Sequence, residues 1–136
     1  MNKIVWAAEK NQVVCQAGAI TDVVKDFVDS HDRLLPISLA SSSSSSIGGN
    51  VATNAAGSKF IRYGSTKDHV AKLKVMLANG EVLTLQKEIQ KDATGPNLME
   101  IFFGSEGALG IICEIVFNTC EKPQYSENIL LRSDDI

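Results

Sequence analysis

Alternating apolar and polar positions predict two antiparallel hairpins along the chain. The first pairs residues 4–7 with residues 12–17. The second pairs residues 68–78 with residues 81–85, and the Asn79–Gly80 dipeptide between them is typical of a hairpin turn. Both hairpins connect neighbouring strands directly, so the pattern favours an antiparallel sheet over a parallel one.

Helical spacing predicts a first helix that begins at Thr21 or Asp22, where either side chain can cap it, and ends near Ser30. Its predicted buried face consists of Val23, Val24, Phe27 and Val28. Ser46 is placed to cap a second helix beginning at Ile47, and the small residues 51–56 also predict a short helix.

Asn97 is placed to cap a short helix that ends at Phe103 and buries Leu98, Ile101 and Phe102. A last strand is predicted over residues 111–118. Strict alternation would put one set of its side chains on one face, namely Ile111, Cys113, Ile115 and Phe117. Residues 91–95 are predicted to form a loop. Together these elements predict an α+β fold, an antiparallel sheet with flanking helices.

Length and charge limit the classes of function. The chain has 136 residues, enough for one domain with a core, and a net charge of −3, which argues against nucleic-acid binding. No apolar run is long enough for a transmembrane segment, and residues 1–9 lack the apolar core of a signal peptide. The three cysteines match no zinc pattern and are predicted to be reduced thiols in the cytoplasm.

Two glycine-rich segments, residues 47–57 and 104–112, carry the candidate chemistry. Glycine admits close approach of a ligand to the backbone, and exposed N–H groups bind anions, so the pair predicts a phosphate-bearing cofactor. Neither segment matches the P-loop or the Rossmann glycine pattern. The serine run 41–46 is either a flexible connector or a loop whose hydroxyl and N–H groups face a phosphate.

The isolated polar candidates have simpler interpretations. His31 is predicted to be a helix-end cation and His69 a hydrogen-bonding residue at a strand entry, so neither is predicted to be catalytic. Glu106 is predicted to organise its loop by accepting backbone hydrogen bonds. Lys67–Asp68 and Lys91–Asp92 are predicted to be loop-fixing pairs.

Five motifs in order then identify a family. They are residues 46–57 (SIGGNVATNAAG), 62–70 (RYGSTKDHV), 77–81 (LANGE), 91–92 (KD) and 103–112 (FGSEGALGII). Together they resemble the PCMH-type FAD-binding domain of FAD-linked oxidases of the vanillyl-alcohol oxidase type. The likeness is greatest to the glycolate oxidase FAD subunit and to the D-lactate and D-2-hydroxyglutarate dehydrogenases.

The resemblance implies FAD as the cofactor and assigns contacts to it. Gly18, between Ala17 and Ala19, would approach the cofactor at the end of a strand. The contacts to the flavin, ribityl and pyrophosphate groups would come from Ser46, Gly48, Gly49, Asn50, Ala52, Asn54 and Gly57. The adenosine or pyrophosphate side would be lined by Glu106, Gly107, Gly110, Ile111 and Ile112. No catalytic residue and no metal ligand is assigned.

The resemblance also implies an organisation and an activity. Residues 1–122 would form the second of two FAD subdomains, and residues 123–136 would lead towards a substrate domain outside the chain. The whole enzyme would oxidise a small 2-hydroxy acid of the glycolate or D-lactate type. It could act with other subunits of an oxidase complex, in the cytoplasm or at the membrane periphery, and this part alone would be inactive. Two alternatives stay open: a non-catalytic assembly module that pairs with a chain supplying the first subdomain, and a generic adenine-nucleotide-binding domain.

Overall fold

The computed structural model describes residues 1–86, 97–127 and 129–132. The strands, in chain order, are β1 (Ile4–Ala7), β2 (Gln12–Gln16), β3 (Arg33–Leu34), β4 (Val70–Met76), β5 (Val82–Gln86), β6 (Ile111–Asn118) and β7 (Cys120–Glu121). The α-helices are α1 (Thr21–Asp29), α2 (Ile47–Ala52) and α3 (Phe60–Tyr63). Short 3₁₀ helices span Ala8–Lys10, Thr66–His69 and Leu98–Phe102.

Five strands form one antiparallel sheet in the order β1-β2-β6-β4-β5, and β3 pairs with β7 in a separate two-stranded sheet. One row of residues in direct register crosses the whole main sheet: Ile4, Cys15, Ile115, Leu73 and Leu85. Because side chains alternate along a strand, this row lies on one face and forms the floor of the core. The predicted α+β class is confirmed.

The helices pack on that face of the sheet through aliphatic side chains. Val24 and Val28 of α1 and Ile47 and Val51 of α2 are fully buried in the same cluster as Phe117. Burying a side chain of this size stabilises the fold by about 1.5–3 kcal/mol each. The core therefore sits between the sheet and α1–α2, and it fixes where α2 meets the sheet.

The Asn79–Gly80 hairpin is confirmed, and its turn shows why glycine is needed there. The Gly80 N–H donates to the Leu77 carbonyl at 2.9 Å, and the Leu77 N–H donates to the Glu81 carbonyl at 2.8 Å. Gly80 has φ +83°, while Asn79 keeps a negative φ. This is a turn followed by one left-handed residue, a common way to close a short hairpin.

The predicted start and buried face of α1 need correction. Its N-cap is Ile20, which has no side-chain cap, and Thr21 Oγ1 bonds instead to Ser45. Val23 is 55% exposed, although it was expected in the buried face. The stripe toward the core is narrower, because only Val24 and Val28, with half-buried Phe27, face the sheet.

Two other helices also differ from the prediction, in where they end or in what they bury. The helix α2 begins at Ile47 as predicted but ends at Ala52, and Asn54 has a left-handed φ of 47°, which cannot continue a helix. The 3₁₀ helix 98–102 buries Met99 and Phe102, whereas Leu98 and Ile101 are 56% and 52% exposed. Helix ends are the places where local sequence says least about packing.

The strand β6 does not alternate strictly. Lys74 pairs with Glu114 but Val75 pairs with Ile112, so Cys113 is an extra residue in the ladder. An inserted residue of this kind reverses the face on which the side chains beyond it lie. Ile112 is therefore buried and Ile111 is 59% exposed, the reverse of the predicted arrangement at this end. The predicted loop 91–95 lies outside the described residues.

Candidate functional site

The turn after β2 and the start of α2 are joined by backbone hydrogen bonds. The Ile47 N–H donates to the Ala19 carbonyl at 2.9 Å, and the Gly48 N–H donates to the Ala17 carbonyl at 2.8 Å. Gly18 lies between these two acceptors and is exposed. Two of the predicted cofactor segments are thus brought together, with Gly18 on the surface beside the first turn of α2.

The first-turn N–H groups of α2 are all used within the protein. Ile47 and Gly48 donate to the turn after β2, the Gly49 N–H donates to Ser46 Oγ at 3.3 Å, and the Asn50 N–H donates to the Ser46 carbonyl at 3.0 Å. Ser46 is therefore the N-cap, as predicted. These are the donors that would bind an anion at a helix start. Phosphate binding by these N–H groups, which the resemblance implied, is not available in this arrangement.

Asn50 has an internal role that the sequence did not reveal. It is 4% exposed, and its Nδ2 donates to Thr21 Oγ1 at 2.7 Å. Thr21 Oγ1 in turn lies 2.9 Å from both the carbonyl oxygen and Oγ of Ser45. This buried network joins α1, α2 and the serine run. No sequence signal marks Thr21 for it, because a Thr at a helix start is expected to cap.

The serine run is bound to the start of α1, which contradicts the first of its two predicted roles, that of a flexible connector. The Ser42 carbonyl accepts a hydrogen bond from the Asp22 N–H at 3.1 Å, and the Ser45 carbonyl accepts one from the Thr21 N–H at 2.9 Å. A hydrogen bond from the Ser42 side chain has the largest effect on the Asp22 carboxyl and lowers its pKa below the ordinary value. A hydrogen bond from Lys25 lowers this pKa further. The run therefore supplies acceptors to the uncapped start of α1, so it is bound to the fold rather than a free connector.

The second glycine-rich segment reaches α2 through one backbone contact. The Glu106 N–H donates to the Ala52 carbonyl at 3.0 Å, at the end of α2. Glu106 and Gly107 both have positive φ, 51° and 86°, and both are exposed. Within the described residues the Glu106 carboxylate accepts no hydrogen bond. The expected organising role is therefore wrong for its side chain, and its backbone fulfils that role instead.

The predicted glycines differ in what a side chain at their position would meet. Gly18 is exposed, yet a Cβ on it would lie 2.5 Å from the Met1 carbonyl oxygen. A Cβ on Gly48 would lie 2.5 Å from the Ala17 Cβ, and one on Gly110 would lie 2.7 Å from Val75 Cγ1. A Cβ on Gly57 would overlap the Ser38 carbonyl oxygen. Gly48, Gly57 and Gly110 are explained by internal packing. By contrast, no atom lies within 4 Å of a Cβ built on Gly107.

The predicted residues therefore separate into a surface and a remainder. We call the exposed or half-buried members joined by these contacts the small-residue surface: Gly18, Ser46, Gly49, Ala52, Asn54, Glu106 and Gly107. Gly48 and Asn50 lie beneath it and are buried. Gly57 packs on Ser38, Gly110 on β4, and Ile111 and Ile112 pair with β4.

The segment 62–70 is organised by Asp68. Asp68 Oδ2 accepts hydrogen bonds from the Ser65 N–H at 2.7 Å and from Ser65 Oγ at 2.9 Å, which caps the 3₁₀ helix Thr66–His69. Burial alone would raise the Asp68 pKa, but these hydrogen bonds outweigh it and hold the pKa below its ordinary value. Ser65 and Asp68 have the Ser-x-x-Asp spacing of a capping box, a sequence signal from which this cap could have been predicted.

Lys67 was expected to pair with Asp68, but its Nζ lies 3.2 Å from Glu100 Oε2, so it ties this segment to the 3₁₀ helix 98–102. The Lys67 N–H also donates to Asn54 Oδ1 at 3.2 Å. Both contacts fix the loop, as predicted, although through other partners. The pair Lys91–Asp92 lies outside the described residues.

The small-residue surface fits part of FAD and not all of it. Gly49 and Gly107 are exposed without side chains, so a flat ring or a sugar chain can approach the backbone. The first N–H groups of α2 already donate hydrogen bonds within the protein, so they are not free to bind the pyrophosphate. No helix in the described ranges is long and apolar enough to cross a membrane, and no cluster of metal-ligating side chains occurs there.

Comparison with known proteins agrees with the fold and the motifs. Residues 1–86 match the model of a family described as FAD binding domain. D-2-hydroxyglutarate dehydrogenase of Stutzerimonas stutzeri (strain A1501) is 38% identical over 99% of this chain and 29% of that protein. The mitochondrial D-2-hydroxyglutarate dehydrogenase of Rattus norvegicus is 40% identical over 85% of this chain and 22% of that protein.

Solved structures give the same result. An alkyldihydroxyacetonephosphate synthase superposes with a TM-score of 0.78 at 28% identity, covering 92% of this chain and 22% of that one. The chain therefore belongs to the FAD-binding domain family, of the vanillyl-alcohol oxidase type, and the predicted cofactor is confirmed at that level. It spans less than a third of the length of these relatives.

Proposed function

We propose that this chain is part of the FAD-binding domain of an enzyme that oxidises a 2-hydroxy acid. The small-residue surface is the observation that carries the proposal, because it presents backbone to a flat ligand on the motifs shared with the family. Bound FAD supplies the hydride acceptor for such an oxidation. The relatives named D-2-hydroxyglutarate dehydrogenase favour that substrate over glycolate and D-lactate. The cytoplasmic location and further oxidase subunits stay predictions.

We assign different parts of the cofactor to different residues of the small-residue surface. Gly49 and Ala52 on α2 take the flat or polyol part of the cofactor, because their small side chains leave the helix open on that side. Gly107, with its positive φ and open surroundings, takes the adenosine side. The pyrophosphate is bound by groups other than the first N–H groups of α2. We also propose that residues 1–122 form the second FAD subdomain and that this part alone is inactive.

Flavin fluorescence during titration of the purified chain with FAD tests this proposal, with ADP as the competing ligand. Saturable binding that ADP displaces only weakly is expected. The informative variant is Gly49→Glu, which adds bulk and a negative charge to the surface. Val23→Glu is the matched control, since it makes the same charge change on an exposed helical position of α1. Gly49→Glu should weaken FAD binding about tenfold or more, roughly 1.4 kcal/mol, and Val23→Glu should not.

ADP binding as tight as FAD binding would instead support the generic adenine-nucleotide-binding domain. Equal loss in the two variants, or no FAD binding by a folded chain, would contradict the proposed surface.

The assembly-module alternative is favoured by one specific observation. Leu98 and Ile101 are more than half exposed, and residues three apart share one side of a 3₁₀ helix. Such a pair suits docking of a further part of the protein or of another chain. The double variant Leu98→Ser/Ile101→Ser changes no member of the small-residue surface, so it should leave FAD binding unchanged. A lowered tendency to associate, measured by light scattering, would support the alternative, and unchanged association would remove it.

A further inference from the structure

A small cleft lies apart from the small-residue surface, between chain segments 36–39, 55–57 and 64–66. Its volume is about 10 Å³, and His69 is one of its lining residues. This is enough room for roughly one water-sized group. Two of the segments already touch at the edge of the cleft, because Gly57 packs directly against the Ser38 carbonyl. The cleft therefore lies where these segments meet, and the polar side chain of His69 is part of its wall.

His69 presents a buried nitrogen without a hydrogen-bond partner at this cleft. The residue is 9% exposed, it forms a hydrogen bond with the backbone of Tyr63, and its Nε2 has no hydrogen-bond partner among the described residues. Burial lowers the His69 pKa, against the opposing effects of the Tyr63 hydrogen bond and the Asp68 charge, so the ring is neutral at pH 7. We assign the proton to Nδ1, because Nε2 is the nitrogen without a partner, and a neutral imidazole with this proton presents a lone pair at Nε2.

The hydroxyl groups that line the cleft are engaged elsewhere. Thr66 Oγ1 donates to the Ala55 carbonyl at 2.7 Å, and Ser65 Oγ donates to Asp68 at 2.9 Å. Ser38 Oγ lies 3.1 Å from Ser58 Oγ. Lys59, which also lines the cleft, is a donor but belongs to the exposed rim. A buried acceptor that is left without a donor destabilises the folded state, so a donor from outside the chain is favoured here.

We propose that the His69 cleft binds a single hydroxyl group, which donates a hydrogen bond to Nε2. The hydroxyl belongs either to one fixed water or to a bound ligand that carries a sugar or polyol chain. The water source fits the cleft volume and needs no cofactor. The ligand source rests on the FAD binding proposed above, since Ala55–Gly57 is the end of the cofactor motif 46–57. In either case His69 is a positioning residue for that hydroxyl group.

The ¹⁵N spectrum of the histidine side chains, recorded on the full chain with ¹⁵N-labelled histidine, tests the inference. A lone-pair nitrogen that accepts a hydrogen bond resonates upfield of a free one. An upfield Nε2 signal of His69 in the free chain identifies the water. The same shift only after addition of FAD, and not of ADP, identifies a hydroxyl that ADP lacks. An Nε2 signal at the free position in both states overturns the inference.

The variant His69→Leu provides a second readout, and His31→Leu assigns the spectrum because the chain has two histidines. If a hydroxyl is bound, His69→Leu lowers the melting temperature in the state that shows the upfield shift. A melting temperature that is unchanged or raised in both states overturns the inference. If FAD does not bind at all, the proposed function fails separately, and the spectrum of the free chain alone decides whether His69 holds its hydroxyl.

Discussion

The adjacent glycines of α2 give the sharpest test of why this motif is rich in glycine. Alanine at position 48 would place its Cβ 2.5 Å from the Ala17 Cβ and 3.0 Å from the Ala17 carbonyl oxygen. Alanine at position 49 would meet only Ser46 Oγ, at 3.1 Å. Both changes gain up to about 1 kcal/mol from helix propensity. Only Gly48→Ala must also displace the turn after β2.

Forcing one methyl group into a packed site costs about 1–3 kcal/mol. Because the obstructing atoms at position 48 include backbone, the upper part of that range applies, and the net destabilisation is about 1–2 kcal/mol. Gly49→Ala should stay within about 1 kcal/mol of the parent in either direction. For a chain of this size each kcal/mol corresponds to roughly 3–5 °C in melting temperature.

The assay is urea unfolding of the two single variants without FAD, followed by circular dichroism, with thermal melting as a second measurement. The structure predicts that Gly48→Ala is less stable than Gly49→Ala even though no cofactor is present. If the two variants unfold at the same urea concentration, Gly48 is not explained by packing, and the separation of buried from surface glycines is wrong.

Three further predictions concern the interior. Thr21→Val should lower the free energy of unfolding by about 1–3 kcal/mol in urea titration, because Asn50 Nδ2 loses its buried partner; an unchanged midpoint would refute the network. Because the His69 pKa is lowered from 6.5, the free energy of unfolding should be highest above pH 6.5 and decrease as the pH falls below it. The Asp68 pKa is also lowered, so a further decrease is expected below about pH 4. A free energy of unfolding that does not change from pH 7 to 5 would contradict the His69 prediction. Burial raises the Cys15 pKa to about 12, so this thiol should not react with Ellman's reagent at pH 8 until urea unfolds the chain, and rapid native labelling of Cys15 would be the contrary result.

The sheet could be predicted because its signals are local. Apolar alternation and the Asn79–Gly80 turn are enough to pair β4 with β5, and both strands are found. The extra residue Cys113 in β6 depends on the neighbouring strand, so alternation alone misplaced Ile111 and Ile112. Single-sequence patterns carry no record of such register shifts.

The exposure of Leu98 and Ile101 was unpredictable for a related reason. A 3₁₀ helix has three residues per turn, so the side that a helical spacing would bury is not the side that Met99 and Phe102 bury. The prediction assumed the wrong helix type, and the choice between the two is made by packing.

The candidate site was found by resemblance, but its physical interpretation changed with the geometry. Sequence showed glycine and small residues without showing what lies beside them. Gly57 and Gly110 turn out to face internal atoms, whereas Gly107 faces open space. Asn50 is buried against Thr21, a partner 29 residues away that no local pattern indicates. Long-range contacts of this kind decide which motif residues can reach a ligand.

The most direct test of FAD binding at the small-residue surface is an amide ¹H–¹⁵N titration of the chain with FAD. We expect the largest shift changes at Gly18, Gly49, Glu106 and Gly107, while Val5 on β1 and Val82 on β5 stay unchanged. Shift changes centred on residues outside the small-residue surface, or none at saturating FAD, would contradict it.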